Sequence, residues 1–148
     1  MLGYNDNPKA TSETVDTEGW LRTGDLGRMD KRGYVTVTGR VKEMIIRGGE
    51  NHFPAEIENC LLEHASVAEV AVVGLPDPKW GEVIGAFIRG KGALDKSVLH
   101  SHCRANMSPQ KTPTVWINLS EFLLTGSGKE QNFELRDRYL AGTYKEPP

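Results

Sequence analysis

The chain has 148 residues, 38% hydrophobic and 26% charged, with a formal net charge of -2. This is the composition of a soluble folded domain, and it excludes the basic footprint that nucleic acid or an anionic membrane demands. No apolar run approaches the roughly 20 residues that span a bilayer, and the first residues have neither the basic nor the apolar stretch of a secretory leader.

In chain order, residues 1–19 are polar and turn-rich and read as a segment cut from something larger. Asp30-Lys31-Arg32-Gly33 followed by alternation over residues 34–38 predicts a β-hairpin with its turn at Gly33. Residues 41–47 predict a short strand, and Gly48-Gly49 a turn with positive φ or close backbone approach. Pro54 suits a first helical turn, and Phe53, Ile57, Cys60, Leu61 and His64 recur at helical spacing. Two β-rich runs, 67–73 and 81–89, flank a loop over 74–80 expected to be rigid because it holds two prolines.

Asp95 is placed to cap a second helix whose inner face is Val98, Leu99, His102, Cys103 and Met107. A third strand over 114–119, a Gly-rich loop over 125–129 and a last helix over 131–140 complete the chain. The order predicts an α+β fold, a three-stranded sheet with helices on one face, preceded by the β-hairpin. Cys60 and Cys103 sit in apolar periodic stretches and read as buried hydrophobes of a reducing compartment rather than as a disulfide. Scattered His and Cys give no zinc spacing, so no metal ligands are expected.

Four stretches carry chemistry: Gly19-Trp20-Leu21-Arg22-Thr23-Gly24-Asp25; Gly39-Arg40-Val41-Lys42; Arg47-Gly48-Gly49-Glu50-Asn51 with Pro54-Ala55-Glu56-Ile57-Glu58; and Thr125-Gly126-Ser127-Gly128-Lys129. The last is not a phosphate-binding P-loop. Leu123 stands where that motif needs its first glycine, and Glu130 where it needs Ser or Thr. Together, in this order, the four stretches resemble the adenylate-forming superfamily of acyl-CoA synthetases, luciferases and peptide-synthetase adenylation domains. The resemblance runs from Gly3 to about Arg136, and the Glu50 to Glu58 stretch is similar to that of acyl- and aryl-CoA synthetases.

The resemblance implies that residues 1–41 are the tail end of a large adenylating domain and 42–148 a mobile C-terminal lid. It implies an acid–thiol ligase using ATP, coenzyme A and a small carboxylic acid, with Mg2+ held by the absent N-terminal domain. Lys129 matches the catalytic lysine: a cation on a flexible stem offsets repulsion between an acyl carboxylate and the α-phosphate. Asp25 matches the carboxylate that grips the nucleotide ribose, accepting from two hydroxyls at once; closing a turn after Gly24 is the competing reading. Arg40 falls near the same ribose or is a strand-end charge, and Lys42 falls at the hinge.

By the same resemblance Arg47, Gly48, Gly49 and Glu50 line the pantetheine path of coenzyme A. Trp80 offers a face for its adenine or packs as an ordinary half-buried Trp. Thr112 and Thr114 are neutral where relatives are often basic, which leaves Lys111 as the phosphate candidate. Glu130 beside Lys129 departs from the apolar residue of relatives. The chain has no phosphate loop or magnesium motif, so alone it is expected to be inactive. A non-catalytic interaction module of the same fold and a domain loading a carrier protein stand as alternatives. The compartment reads as cytoplasm, or mitochondrial matrix if a transit peptide lies upstream.

Overall fold

Two long strands decide the architecture. In the computed structural model, which describes residues 1–122 and 132–144, the chain divides into two compact units, residues 1–42 and 43–148.

In residues 1–42 a helix α1 (Pro8–Thr14) precedes β1 (Asp25–Met29) and β2 (Val35–Arg40), an antiparallel hairpin. The helix corrects the reading of residues 1–19 as turns alone. Pro8 opens it, and the Asn7 side chain accepts the Ala10 N–H at 3.0 Å, a cap that supports a helix without apolar periodicity. The hairpin turn is built as expected: Asp30 Oδ1 accepts the N–H groups of Arg32 and Tyr34 at 2.8 and 3.0 Å. Those bonds, Tyr34's foremost, hold the Asp30 carboxyl below its ordinary pKa. Met29, Val35 and Val37 pair across one face of the hairpin and are exposed.

Residues 43–148 hold β3 (Ile45–Arg47), β4 (Glu50–His52), α2 (Pro54–Leu62), β5 (Val67–Asp77), β6 (Gly81–Gly90), α3 (Lys96–Asn106), β7 (Val115–Asn118) and α4 (Asn132–Leu140). The fold class is α+β, as expected, but the sheet is larger than three strands. The short hairpin β3–β4 extends it to five, in the order β4-β3-β6-β5 with β7 parallel beside β6. Residues 74–77, read as loop, continue β5. Their register with Gly81 to Ile84 is unbroken, and the Pro76 ring costs no ladder bond that the pairing needs.

Helices cover both faces of the sheet, not one. Val70, Val72, Ile84, Ala86 and Ile88 pack with Ile57, Leu61, Leu99 and Cys103 of α2 and α3. The alternate residues Ala71, Val73, Leu75 and Phe87 pack with Leu135 of α4. A strand buried on both faces needs apolar residues at every position, which is why the two runs lack alternation.

Asp95 caps α3 as expected, accepting the Ser97 and Val98 N–H groups. Of the inner face assigned to α3, Leu99 and Cys103 are buried and Met107 packs on the core, but Val98 is exposed. Cys60 and Cys103 are free and buried. Burial pushes both thiols up, Cys103 to about 12, so they serve as packing. Among the described residues no helix is long and apolar enough to cross a membrane.

Candidate functional site

The Asp25–Arg40 pair is made by the hairpin register. The two are Cα partners at the open end of β1–β2, and Arg40 Nε lies 3.2 Å from Asp25 Oδ1. Thr23 Oγ1 accepts the Asp25 N–H at 3.1 Å, so the turn here is closed by the Thr23 hydroxyl and not by the Asp25 carboxylate, which pairs with Arg40 instead. Val41 N–H donates to Gly24 O at 2.9 Å and closes the same end. Lys42 follows, exposed, in a single 3-10 turn (Val41–Glu43) at the division between the two units.

In the larger unit, the turn between β3 and β4 faces the turn between β5 and β6. Asp77 Oδ1 accepts the N–H groups of Lys79 and Trp80, both at 2.8 Å, which folds the chain back on itself. Trp80 O then accepts the Gly48 N–H at 2.8 Å. Gly48 has φ +59, and a Cβ there would lie 2.9 Å from Trp80 Cε3. The position needs glycine on both counts. Beside it Gly49, at φ +85, has no atom within 4 Å of where a Cβ would stand. The sequence expected paired glycines for close approach, and one serves the fold while the other leaves bare backbone facing open space.

Arg47, Gly48, Glu50, Trp80, Pro109 and Gln110 line a cleft of about 360 Å³. The Arg47 guanidinium carbon lies 5.7 Å from the centre of the Trp80 ring, and Lys79 Nζ lies 4.9 Å from it. Arg47 Nη1 donates to Gln110 O at 2.6 Å. A cation–π contact at an exposed site is worth about 0.5–1 kcal/mol. That is enough to orient Arg47 and less than a charge-assisted pair with a phosphate would return. The cleft thus carries one cation, Arg47, and one carboxylate, Glu50, beside an aromatic wall that is 43% exposed.

Lys111, the phosphate candidate, pairs with Glu56 in the first turn of α2, Nζ to Oε1 at 2.5 Å. An exposed pair of this kind is worth about 0–1 kcal/mol, so a phosphate can displace it. Thr112 is buried, whereas Thr114 is exposed. Lys129 and Glu130 lie outside the described residues.

Three contributors escaped the sequence. Gln110 acts through its backbone carbonyl, which leaves no side-chain signature. Lys79 was read only as part of a loop. His52 is 3% exposed, and neither ring nitrogen has a hydrogen-bond partner among the described residues. Burial holds its pKa below 6.5, against the pull of Glu50.

Residues 56–129, half of the chain, match the family model described as AMP-binding enzyme C-terminal domain. The putative acyl-CoA synthetase YngI of Bacillus subtilis is 41% identical over 95% of this chain and 26% of its own length. The mitochondrial medium-chain acyl-CoA ligase of Pongo abelii is 43% identical over 93% of this chain and 23% of its own. Among solved structures, the o-succinylbenzoate CoA synthetase of Bacillus subtilis, in complex with its acyl-adenylate intermediate, superposes with a TM-score of 0.85. Its identity is 35%, covering 91% of this chain and 28% of that one. The chain thus spans about a quarter of the length of the curated relatives it matches. With the four stretches in order and the family matched over half the residues, this chain belongs to the AMP-binding enzyme C-terminal domain family.

Proposed function

We propose that this chain is the C-terminal portion of an ATP-dependent acid–thiol ligase of the acyl-CoA synthetase type. Residues 1–41 close the large adenylating domain, and 42–148 form the lid that turns about Lys42. In the first half-reaction an acyl carboxylate oxygen attacks the α-phosphorus of ATP and pyrophosphate leaves. Lys129 supplies the cation that offsets the negative charge gathered there. Asp25 accepts from the ribose hydroxyls, and Arg40, 3.2 Å away, aims that carboxylate. In the second half-reaction the thiol of coenzyme A attacks the acyl carbonyl and AMP leaves.

For the second step the pantetheine arm runs past Gly49, with Arg47 and Lys111 available to its phosphates and the exposed Trp80 face to its base. Among the described residues no group of His, Cys, Asp and Glu could hold a metal ion. The family resemblance assigns magnesium to the upstream domain, and no step here runs through it. The observation that carries the reading is the bare backbone at Gly49 beside the cleft of Arg47 and Trp80, in a chain whose matched relatives bear the names of acyl-CoA synthetases and ligases. The exposed apolar face of the β1–β2 hairpin supports the domain assignment, since a two-stranded hairpin is marginal until something covers it.

The test is Lys129→Ala in the full-length ligase containing this chain. Adenylate formation, followed by pyrophosphate release, is expected to fall at least a hundredfold, while thioester formation from supplied acyl-adenylate stays within about threefold. Equal loss in both half-reactions removes Lys129 from its role.

A further inference from the structure

Glu82, near the start of β6, carries two long-range contacts that the proposed mechanism does not use. Its Oε2 accepts the backbone N–H of Ile46 at 3.0 Å, and its Oε1 takes Arg136 Nη1 at 3.1 Å. Ile46 belongs to β3, directly before the Arg47–Gly48–Gly49 turn that opens on the cleft. Arg136 belongs to α4, which begins three residues beyond Lys129. One carboxylate therefore fastens β3, which leads into the Gly48–Gly49 turn, to α4, the helix that follows Lys129 in the sequence.

The fit is built into a third strand. Gly74 lies on β5 under this carboxylate, and a Cβ at Gly74 would come within 2.9 Å of Glu82 Oε2. Bare backbone at 74 is what lets the carboxylate lie across the sheet and reach both partners. The Glu82 side chain is 22% exposed, and each of its oxygens has one task. An amide in its place keeps a single acceptor oxygen and loses the charge that holds a guanidinium.

We propose that Glu82 is a positioning residue for both half-reactions, setting the thiol-side hairpin through Ile46 and, through Arg136, the helix α4 that starts three residues after Lys129. The proposal rests on the ligase reading above. A positioning contact acts by holding reactive groups within a fraction of an ångström, so its loss shows in rate before it shows in stability.

The two duties separate by substitution in the full-length ligase. Arg136→Gln and Glu82→Gln release α4 but leave an acceptor for the Ile46 N–H. Each is expected to slow adenylate formation about tenfold while thioester formation from supplied acyl-adenylate stays within twofold. The double variant Glu82→Gln with Arg136→Gln is expected to be no slower than either single one, because both remove the same contact. Glu82→Ala, which also frees the Ile46 N–H, is expected to slow both half-reactions and to speed hydrogen exchange at that amide. The Arg136 side chain is 42% exposed, and a urea midpoint close to that of the parent shows that its variant tests the idea on a folded chain. Adenylation within twofold of the parent in Arg136→Gln, equal slowing of both half-reactions by it, or single effects that multiply in the double variant overturns the role of Glu82. A parent that forms no adenylate overturns the ligase reading itself.

Discussion

Residues 43–148 and residues 1–42 are held together by different physics. The first unit buries both faces of a sheet, with Ile57, Leu61, Ile84, Ala86, Phe87 and Cys103 fully enclosed. In the second no residue is buried at all. Its order comes from local hydrogen bonds: the Asn7 cap, the Asp30 turn and the β1–β2 ladder. Burial of a large apolar side chain is worth about 1.5–3 kcal/mol, whereas a surface hydrogen bond nets about 1. The larger unit has what an independent domain needs, and the smaller has the half of a core that some other surface would complete.

Substitution measures the difference, and the largest effect is expected at Phe87. It is fully buried, with Tyr139 and Tyr144 edge-on to its ring at 6.5 and 5.4 Å between centroids. Phe87→Ala should cost about 3–5 kcal/mol, read as a lower urea midpoint at unchanged slope. Val37→Ala, at a side chain 66% exposed in the hairpin, should stay within about 0.5 kcal/mol in this chain. A costly Val37→Ala would mean that the apolar face is already covered, and the contrast between the units would fail.

The same contrast decides what the sequence could tell. Local signals were legible wherever the chain interacts with itself nearby: the Gly33 turn, the Pro54 start of α2 and the Asp95 cap all stand where propensity and capping put them. The second covered face of the sheet was also written in the sequence, in the unbroken apolar runs of β5 and β6, but was mistaken for a one-sided pattern. The strand before Gly48 and its turn are legible, but β4 is not, because a three-residue strand has no period to read. The site was legible where glycines and charges mark it, at Gly48, Gly49 and Arg47. Gln110 contributes a carbonyl that any residue possesses, and Glu82 joins residues 46 and 136, a juxtaposition that only the fold creates.

Near neutral pH only the larger unit should respond, for all four histidines lie in it. Burial, chiefly, holds the His52 pKa below 6.5; Glu50 and Glu56 oppose this, and Arg47 and Lys111 reinforce it. In the unfolded chain the ring takes a proton below about pH 6.5, while the folded ring resists it. The unfolded state then binds more protons, so stability is full above that pH and falls on acidification toward pH 5. His52→Leu fills the same buried place without a titrating group, and its melting temperature should drop less between pH 7 and pH 5 than that of the parent. An unchanged drop would place the acid sensitivity elsewhere. Hydrogen exchange in residues 1–42, corrected for its intrinsic pH dependence, should be flat across the same range.

The smallest effect compares two caps of similar strength. Asp95 accepts the Ser97 N–H at 2.8 Å and the Val98 N–H at 3.4 Å, and the Ser97 hydroxyl at 2.6 Å, followed by these bonds, holds its carboxyl below the ordinary range. Asn7 accepts the Ala10 N–H at 3.0 Å. Loss of either should cost its helix about 1 kcal/mol. Yet α3 carries Leu99 and Cys103 into the core, so Asp95→Ala should lower the unfolding midpoint of residues 43–148 by the full amount. The helix α1 buries nothing and is only seven residues long, below the length at which an isolated helix holds itself. Asn7→Ala should therefore leave that midpoint alone and appear only as faster hydrogen exchange at Ala10. Were both substitutions to move the midpoint equally, residues 1–42 and 43–148 would be unfolding as one cooperative body, and the division between a self-sufficient unit and a dependent one would have to be withdrawn.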